Sequence, residues 1–291
     1  MSRNLTAVQY WSNQMQDQEL LAASPLGKTN VYTDQYDASL LFAICRDGNR
    51  VNIGIDVKSL PFKGVDIWNG FDFTWLDAHG EPHFGVLKIL VPCDSPNLIE
   101  SKSLKLYLFS FANTKFENIS KIINLMQQDL SQAAGKPVTV SLEDQLTSFA
   151  NTSASMHGIL IDTLEILCPD KDINSKLLSA DQTNIVTEQL CSDFLKSNCL
   201  VTGKPDWGSV RISYTGPKID QARLLQYIVS YRNHQGFHEQ CIEHIYFDIL
   251  KLCNPSKLIV QGRYTRRGGL DINPIRANLE LKYENIRLFR Q

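Results

Sequence analysis

The chain has 291 residues, enough for two modest domains or one large one, and 43% of them are hydrophobic while 21% are charged. A formal net charge of −2 gives no global attraction to nucleic acid or anionic membranes. The longest apolar runs, such as Ser39–Cys45 (SLLFAIC), are far too short to span a bilayer. The N-terminal MSRNLTAVQYWSNQMQDQ carries no apolar core of a secretory signal, so a cytoplasmic protein is expected. Seven cysteines at irregular spacing, with no CxxC and no HExxH, predict thiols in a reducing compartment and no metal centre.

In chain order, residues 1–35 are expected as an N-terminal arm. A module over 36–168 follows. Its hairpin is predicted from FDFTWLD and HFGVLKILVP around the AHGEP turn. A helix is expected over IESKSLKLYLFSFAN. A second helix carries the stripe Ile119, Ile122, Ile123, Met126 and Leu130 and stops near Gly135. PVTVSLE and HGILIDTLEIL are predicted as closing strands. Residues 169–190, polar and weakly periodic, are expected as a connector. A second module over 191–291 repeats the order: CLVT and WGSVRISY around GKPD, a helix with Leu224, Leu225, Ile228 and Tyr231, a second helix from GFHEQCIE, and strands in SKLIVQGRYTR.

The two modules are copies. GEPHFGVLKI (80–89) matches GKPDWGSVRI (203–212) at an offset of 123, and IESKSLKLYLFSFAN (99–113) matches IDQARLLQYIVSYRN (219–233) at 120. Two tandem hairpin–helix–helix–strand units predict an α+β fold with antiparallel sheets covered on one face. The polar groups are not shared between copies: Cys199 falls opposite Leu76 and Asp206 opposite His83, while Glu100-Ser101-Lys102 falls opposite Asp220-Gln221-Ala222.

Those differences mark the candidate chemistry. Cys199 lies across a Gly/Pro turn from Asp206, which is expected to be buried beside Trp207. A thiolate is a strong nucleophile, and a nearby carboxylate can take its proton and return it. A buried core cysteine and an Asp that caps its own turn are the plain alternatives. Glu239, beside His238 at a helix start, can accept two parallel N–H bonds from a purine-like amidine edge, or simply favour the helix dipole. Glu100-Ser101-Lys102 at another helix start offers an anion cradle or a solvated face. Arg267 and Gly268 in RYTRRGG suit a phosphate or a charged turn. No GxGxxG follows a strand, so a dinucleotide would bind outside a Rossmann fold.

Together SPNLIESKSLKLYL, SNCLVTGKPDWGSV, GFHEQCIE and YTRRGGLDINP resemble the 7-cyano-7-deazaguanine reductases, nitrile reductases of queuosine biosynthesis, in a long two-module form. The resemblance runs from about residue 66 to 276, with Lys204 and Ile275 departing from the family pattern. It implies a tunnelling fold (T-fold) of two tandem β-β-α-α-β-β modules and a homodimer. It implies that Cys199 forms a covalent thioimide with the nitrile carbon and that Asp206 is the proton donor. Ile99, Glu100, Ser101, His238 and Glu239 would bind the deazaguanine. Ser101, Lys102, Arg267 and Gly268 would contact NADPH, used twice per turnover, without a metal. Two other classes stand beside it: a zinc-dependent T-fold cyclohydrolase with ligands such as Cys199, His238 and Cys241, and a non-catalytic purine-binding protein.

Overall fold

A computed structural model describes residues 33–143, 155–167, 172–200, 202–280 and 283–291. The strands are β1 (Ala43–Cys45), β2 (Lys63–Leu76), β3 (Pro82–Pro92), β4 (Asn97–Ile99), β5 (Thr139–Glu143), β6 (Ile159–Leu160), β7 (Ala180–Ser192), β8 (Lys196–Asn198), β9 (Pro205–Ile219), β10 (Lys257–Tyr264) and β11 (Leu270–Ala277). The α-helices are α1 (Asp47–Asn52), α2 (Ser101–Phe109), α3 (Ile119–Ala134), α4 (Gln221–Val229) and α5 (His238–Cys253). The chain forms two compact units that are interleaved in sequence. One takes residues 1–59, 73–84 and 95–138; the other takes 60–72, 85–94 and 139–291.

The first unit is helical. Helix α3 buries Ile122, Met126, Leu130 and Ala134 at helical spacing, and it ends on Gly135 at φ 76°, where a left-handed residue closes the last turn. Strands β1 and β4 pair antiparallel beside α2. Phe73, Trp75, Tyr107, Phe111 and Phe116 make an aromatic cluster.

The second unit holds a mixed sheet in the order β5-β3-β2-β11-β10-β9-β7-β6, with β8 added on β9. The pairs β5–β3, β2–β11, β11–β10, β10–β9, β9–β7 and β8–β9 are antiparallel, and β6 runs parallel to β7. Helices α4 and α5 carry one buried face each: Leu224, Leu225 and Ile228 on α4, and Cys241, Ile242, Ile245 and Ile249 on α5. On β11, Arg276 is fully buried and bonds Asp66 of β2 at 2.7 Å and Glu243 of α5 at 2.9 Å. Burial alone would lower its proton affinity; the two carboxylates more than reverse this, so the guanidinium stays charged.

The helix pairs repeat one set of bonds. Tyr107 donates to Asp129 Oδ2 at 2.6 Å and Tyr227 to Asp248 Oδ2 at 2.7 Å. Ser110 Oγ donates to the Tyr107 carbonyl and Ser230 Oγ to that of Tyr227. Glu100 caps α2 and Asp220 caps α4. A buried phenol needs an acceptor, and both copies supply it from the same place on the following helix.

Three expectations need correction. Residues 180–190, expected within the connector, form strand β7 along β9 together with Cys191 and Ser192. HGILIDTLEIL is not a long strand: only Ile159–Leu160 is extended, a 3-10 turn follows, and much of the segment is exposed. The strand before the GKPD turn is Lys196–Asn198 rather than CLVT; Val201 lies outside the described residues.

Candidate functional site

In the second unit the site begins at a short hairpin. The β8–β9 register sets Ser197 opposite Asp206 and Asn198 opposite Pro205. The ladder continues one step, with Cys199 N–H donating to the Lys204 carbonyl at 2.8 Å. Facing residues share a side and sides alternate along a strand, so Ser197, Cys199 and Asp206 lie on one face. Trp207, opposite Lys196, lies on the other. It is 41% exposed and does not bury Asp206, contrary to the sequence expectation. The loop before α5 clamps β8: Asn198 N–H donates to the His234 carbonyl at 2.8 Å, and Gly236 N–H to the Asn198 carbonyl at 3.1 Å. The segment that presents Cys199 is thereby tied to the segment that starts α5.

Asp206 is 7% exposed and sits between two groups. Arg267 Nη1 is 3.0 Å from Oδ1, and His238 Nε2 is 3.4 Å from Oδ2. His238 and Glu239 open α5, and Glu239 is buried in its first turn, where the helix dipole favours a carboxylate. His238 Nδ1 is buried and has no hydrogen-bond partner among the described residues. Arg267 lies on the β10–β11 turn, closed by Arg267 N–H on the Leu270 carbonyl at 2.8 Å. Gly268 and Gly269 have φ of 62° and 78°, and a Cβ on Gly269 would collide with the Asp72 carboxylate. The turn requires glycine, and it offers a half-exposed guanidinium beside bare backbone, which are donor types suited to a dinucleotide.

In the first unit, Ile99 is buried on β4 and Glu100 caps α2. Glu100 Oε1 accepts from Lys102 N–H at 2.9 Å and Oε2 from Ser103 N–H at 2.7 Å. Burial raises the proton affinity of this carboxyl; the two N–H bonds oppose that. The helix-start N–H groups expected to cradle an anion are therefore already taken by Glu100. Ser101 and Lys102 are half-buried beside it.

Cys199, His238 and Cys241 do not converge as metal ligands. Among the described residues the group of three with ligand atoms within 4.8 Å of one another is Asp77, Glu81 and His83, at the β2–β3 turn. Burial pushes the Cys241 thiol up to about 12, as expected of a cysteine packed in the core. The sequence reading missed two site residues. Ser197 shares the face of Cys199, a position alternation could have shown. Tyr264, in the RYTRRGG segment, stacks on His238 with centroids 3.8 Å apart and planes within 8°; no linear spacing reveals that contact.

A thiol, a carboxylate and an imidazole are the residue types that a nucleophile with a proton acceptor and donor draws on. Two family models match the chain. Residues 32–142 match "Nitrile reductase, 7-cyano-7-deazaguanine-reductase N-term", and residues 205–283 match "QueF-like protein". Among similar proteins, one from Chromobacterium violaceum is 52% identical over 269 residues, 92% of this chain and 96% of that protein. One from Paraburkholderia phytofirmans is 51% identical over 273 residues, covering 92% and 98%. One from Paraburkholderia xenovorans is 50% identical with the same coverage. Each is called NADPH-dependent 7-cyano-7-deazaguanine reductase. No helix among the described residues is long and apolar enough to cross a membrane.

Proposed function

This chain belongs to the 7-cyano-7-deazaguanine reductase family, and we infer that it reduces the nitrile of 7-cyano-7-deazaguanine to the aminomethyl group with NADPH, through a covalent bond at Cys199. The observation that carries the covalent route is the hairpin geometry: Cys199 and Asp206 on one face, with Asp206 held by Arg267 and His238. Asp206 takes the proton of the Cys199 thiol as sulfur bonds to the nitrile carbon, and it returns a proton to the nitrile nitrogen, giving a neutral thioimide. His238 Nε2 lies close enough to Asp206 to share that proton. A nitrile is a poor hydride acceptor; the thioimide is a better one because its nitrogen can be protonated.

NADPH supplies hydride, two equivalents for the four-electron change from nitrile to primary amine. Ser101, Lys102, Arg267 and Gly268 are assigned to hold it. Ile99, Glu100, Ser101, His238 and Glu239 are assigned to the deazaguanine, with the Glu239 carboxylate accepting from the amidine edge. The first hydride and a proton convert the thioimide to a thiohemiaminal, whose C–S bond then breaks to return the Cys199 thiol and leave an imine; that imine is open to hydrolysis before the second hydride, so exclusion of water by the buried faces around Cys199 and Asp206 is part of the chemistry. The same reading makes the fold a T-fold of two tandem modules and the protein a cytoplasmic homodimer.

The test has two arms. Purified protein mixed with the nitrile and no NADPH should show a mass adduct on Cys199, and adding NADPH should consume the cofactor and release amine. Cys199→Ala should abolish both while leaving ring binding measurable. An adduct on Cys241 or Cys253, or undiminished turnover by Cys199→Ala, refutes the assignment.

A further inference from the structure

Tyr264 is the last residue of β10 and leads into the Arg267–Gly268 turn. Its side chain is fully buried. The ring lies flat on the imidazole of His238. Its register partner on β9 is Gly208, where a Cβ would stand 3.0 Å from ring Cδ1, so the ring fills space that glycine leaves. Its hydroxyl is buried beside Ser197 and the Cys241 thiol. Its carbonyl accepts from Gln291 Nε2 at 2.9 Å, and the same nitrogen donates to Asn273 Oδ1 at 2.8 Å. Ring and main chain are thus each fixed.

His238 depends on that fixation. Its Nε2 reaches Asp206 at 3.4 Å while Nδ1 has no hydrogen-bond partner among the described residues, so no bond on the far side of the imidazole sets its plane. The stacked phenol does. An aromatic stack favours a defined ring orientation, and it fixes tilt, which decides whether Nε2 points at the carboxylate.

We propose that Tyr264 is a positioning residue for the proton transfer at Cys199, holding the His238 imidazole in the plane that presents Nε2 to Asp206. The inference rests on the covalent reductase reading above. The experiment measures the rate of Cys199 adduct formation with 7-cyano-7-deazaguanine by quenched-flow mass spectrometry. Tyr264→Leu should slow it by about 100-fold, the scale of a misplaced catalytic group. In a His238→Ala background the same change should cost nothing further, because its effect runs through the imidazole. Tyr264→Phe, which keeps the ring, should recover most of the rate. Equal slowing in both backgrounds, or none in either, overturns the proposal. Should Tyr264→Leu fail to fold, Gly208→Ala, which crowds the ring from β9, goes through the same cycle with the same criteria. Wild-type protein that forms no adduct removes the covalent reading and this proposal with it; a wild-type adduct with no coupling removes this proposal alone.

Discussion

Asp206 has two contacts of unequal exposure: His238 is mostly buried, whereas the Arg267 side chain is 46% exposed. Replacing Arg267 with Leu leaves a buried carboxylate without its guanidinium and removes one of the two arginines of the β10–β11 turn. A lost bond to a charged group is worth about 1.5–3 kcal/mol, so kcat/KM for NADPH should fall on the order of ten- to hundredfold in steady-state assays. An unchanged value would separate Arg267 from the cofactor. Cys199 and Asp206 were legible as candidates because they differ where two stretches of sequence otherwise match, Arg267 because it stands in an Arg/Gly run, and His238 and Glu239 because they open a helix. What Glu100 does locally was not. A carboxylate at a helix start reads equally as ligand contact or cap, and only the bonds from Lys102 and Ser103 N–H show the cap.

The helix pairs set the mechanical frame for these residues. Tyr227→Phe on α4 removes the phenol from Asp248 and should cost about 1–3 kcal/mol in denaturant unfolding; Tyr107→Phe on α2 should cost a similar amount, and a negligible loss in either would refute a shared role. The loop before α5 adds a pH dependence. Burial first, and then the charge of His244, push His234 from 6.5 down to about 4. The unfolded chain therefore binds the proton more readily, so the contribution of His234 is intact above about pH 6.5 and is lost as pH falls toward 4. Because the His234 carbonyl holds Asn198 N–H, this loop is coupled to the segment bearing Cys199. The drop in Tm from pH 7.5 to pH 5 should be smaller in His234→Gln than in wild type; an equal drop would exclude His234. Helices were legible at this scale because each buries one stripe. Strand β7 was not: residues 181–185 are all exposed, so no alternating apolar pattern marks them.

Across the whole molecule, the internal sequence match does not correspond to two contiguous units in space. Residues 60–72 and 85–94, from the first half, belong with the second half's sheet. Sequence repetition reports ancestry of segments; it carries no signal for which strand edges meet. A fragment of residues 172–291 keeps β7 to β11 but loses β2, baring the edge of β11, whose eight residues are all buried in the intact chain. Such a bared strand edge invites pairing with other chains, so size-exclusion chromatography should show aggregate or oligomer. A well-folded monomeric fragment would contradict the interleaved arrangement. The β2–β11 register also governs assembly at the ribosome. Leu270 faces Gly70, 200 residues earlier. At ordinary translation speeds the earlier strand waits roughly 10–40 s for its neighbour to be synthesised. The centre of the sheet is therefore completed near the close of synthesis, and until then the nascent chain carries an uncovered strand that holdase chaperones are suited to shield.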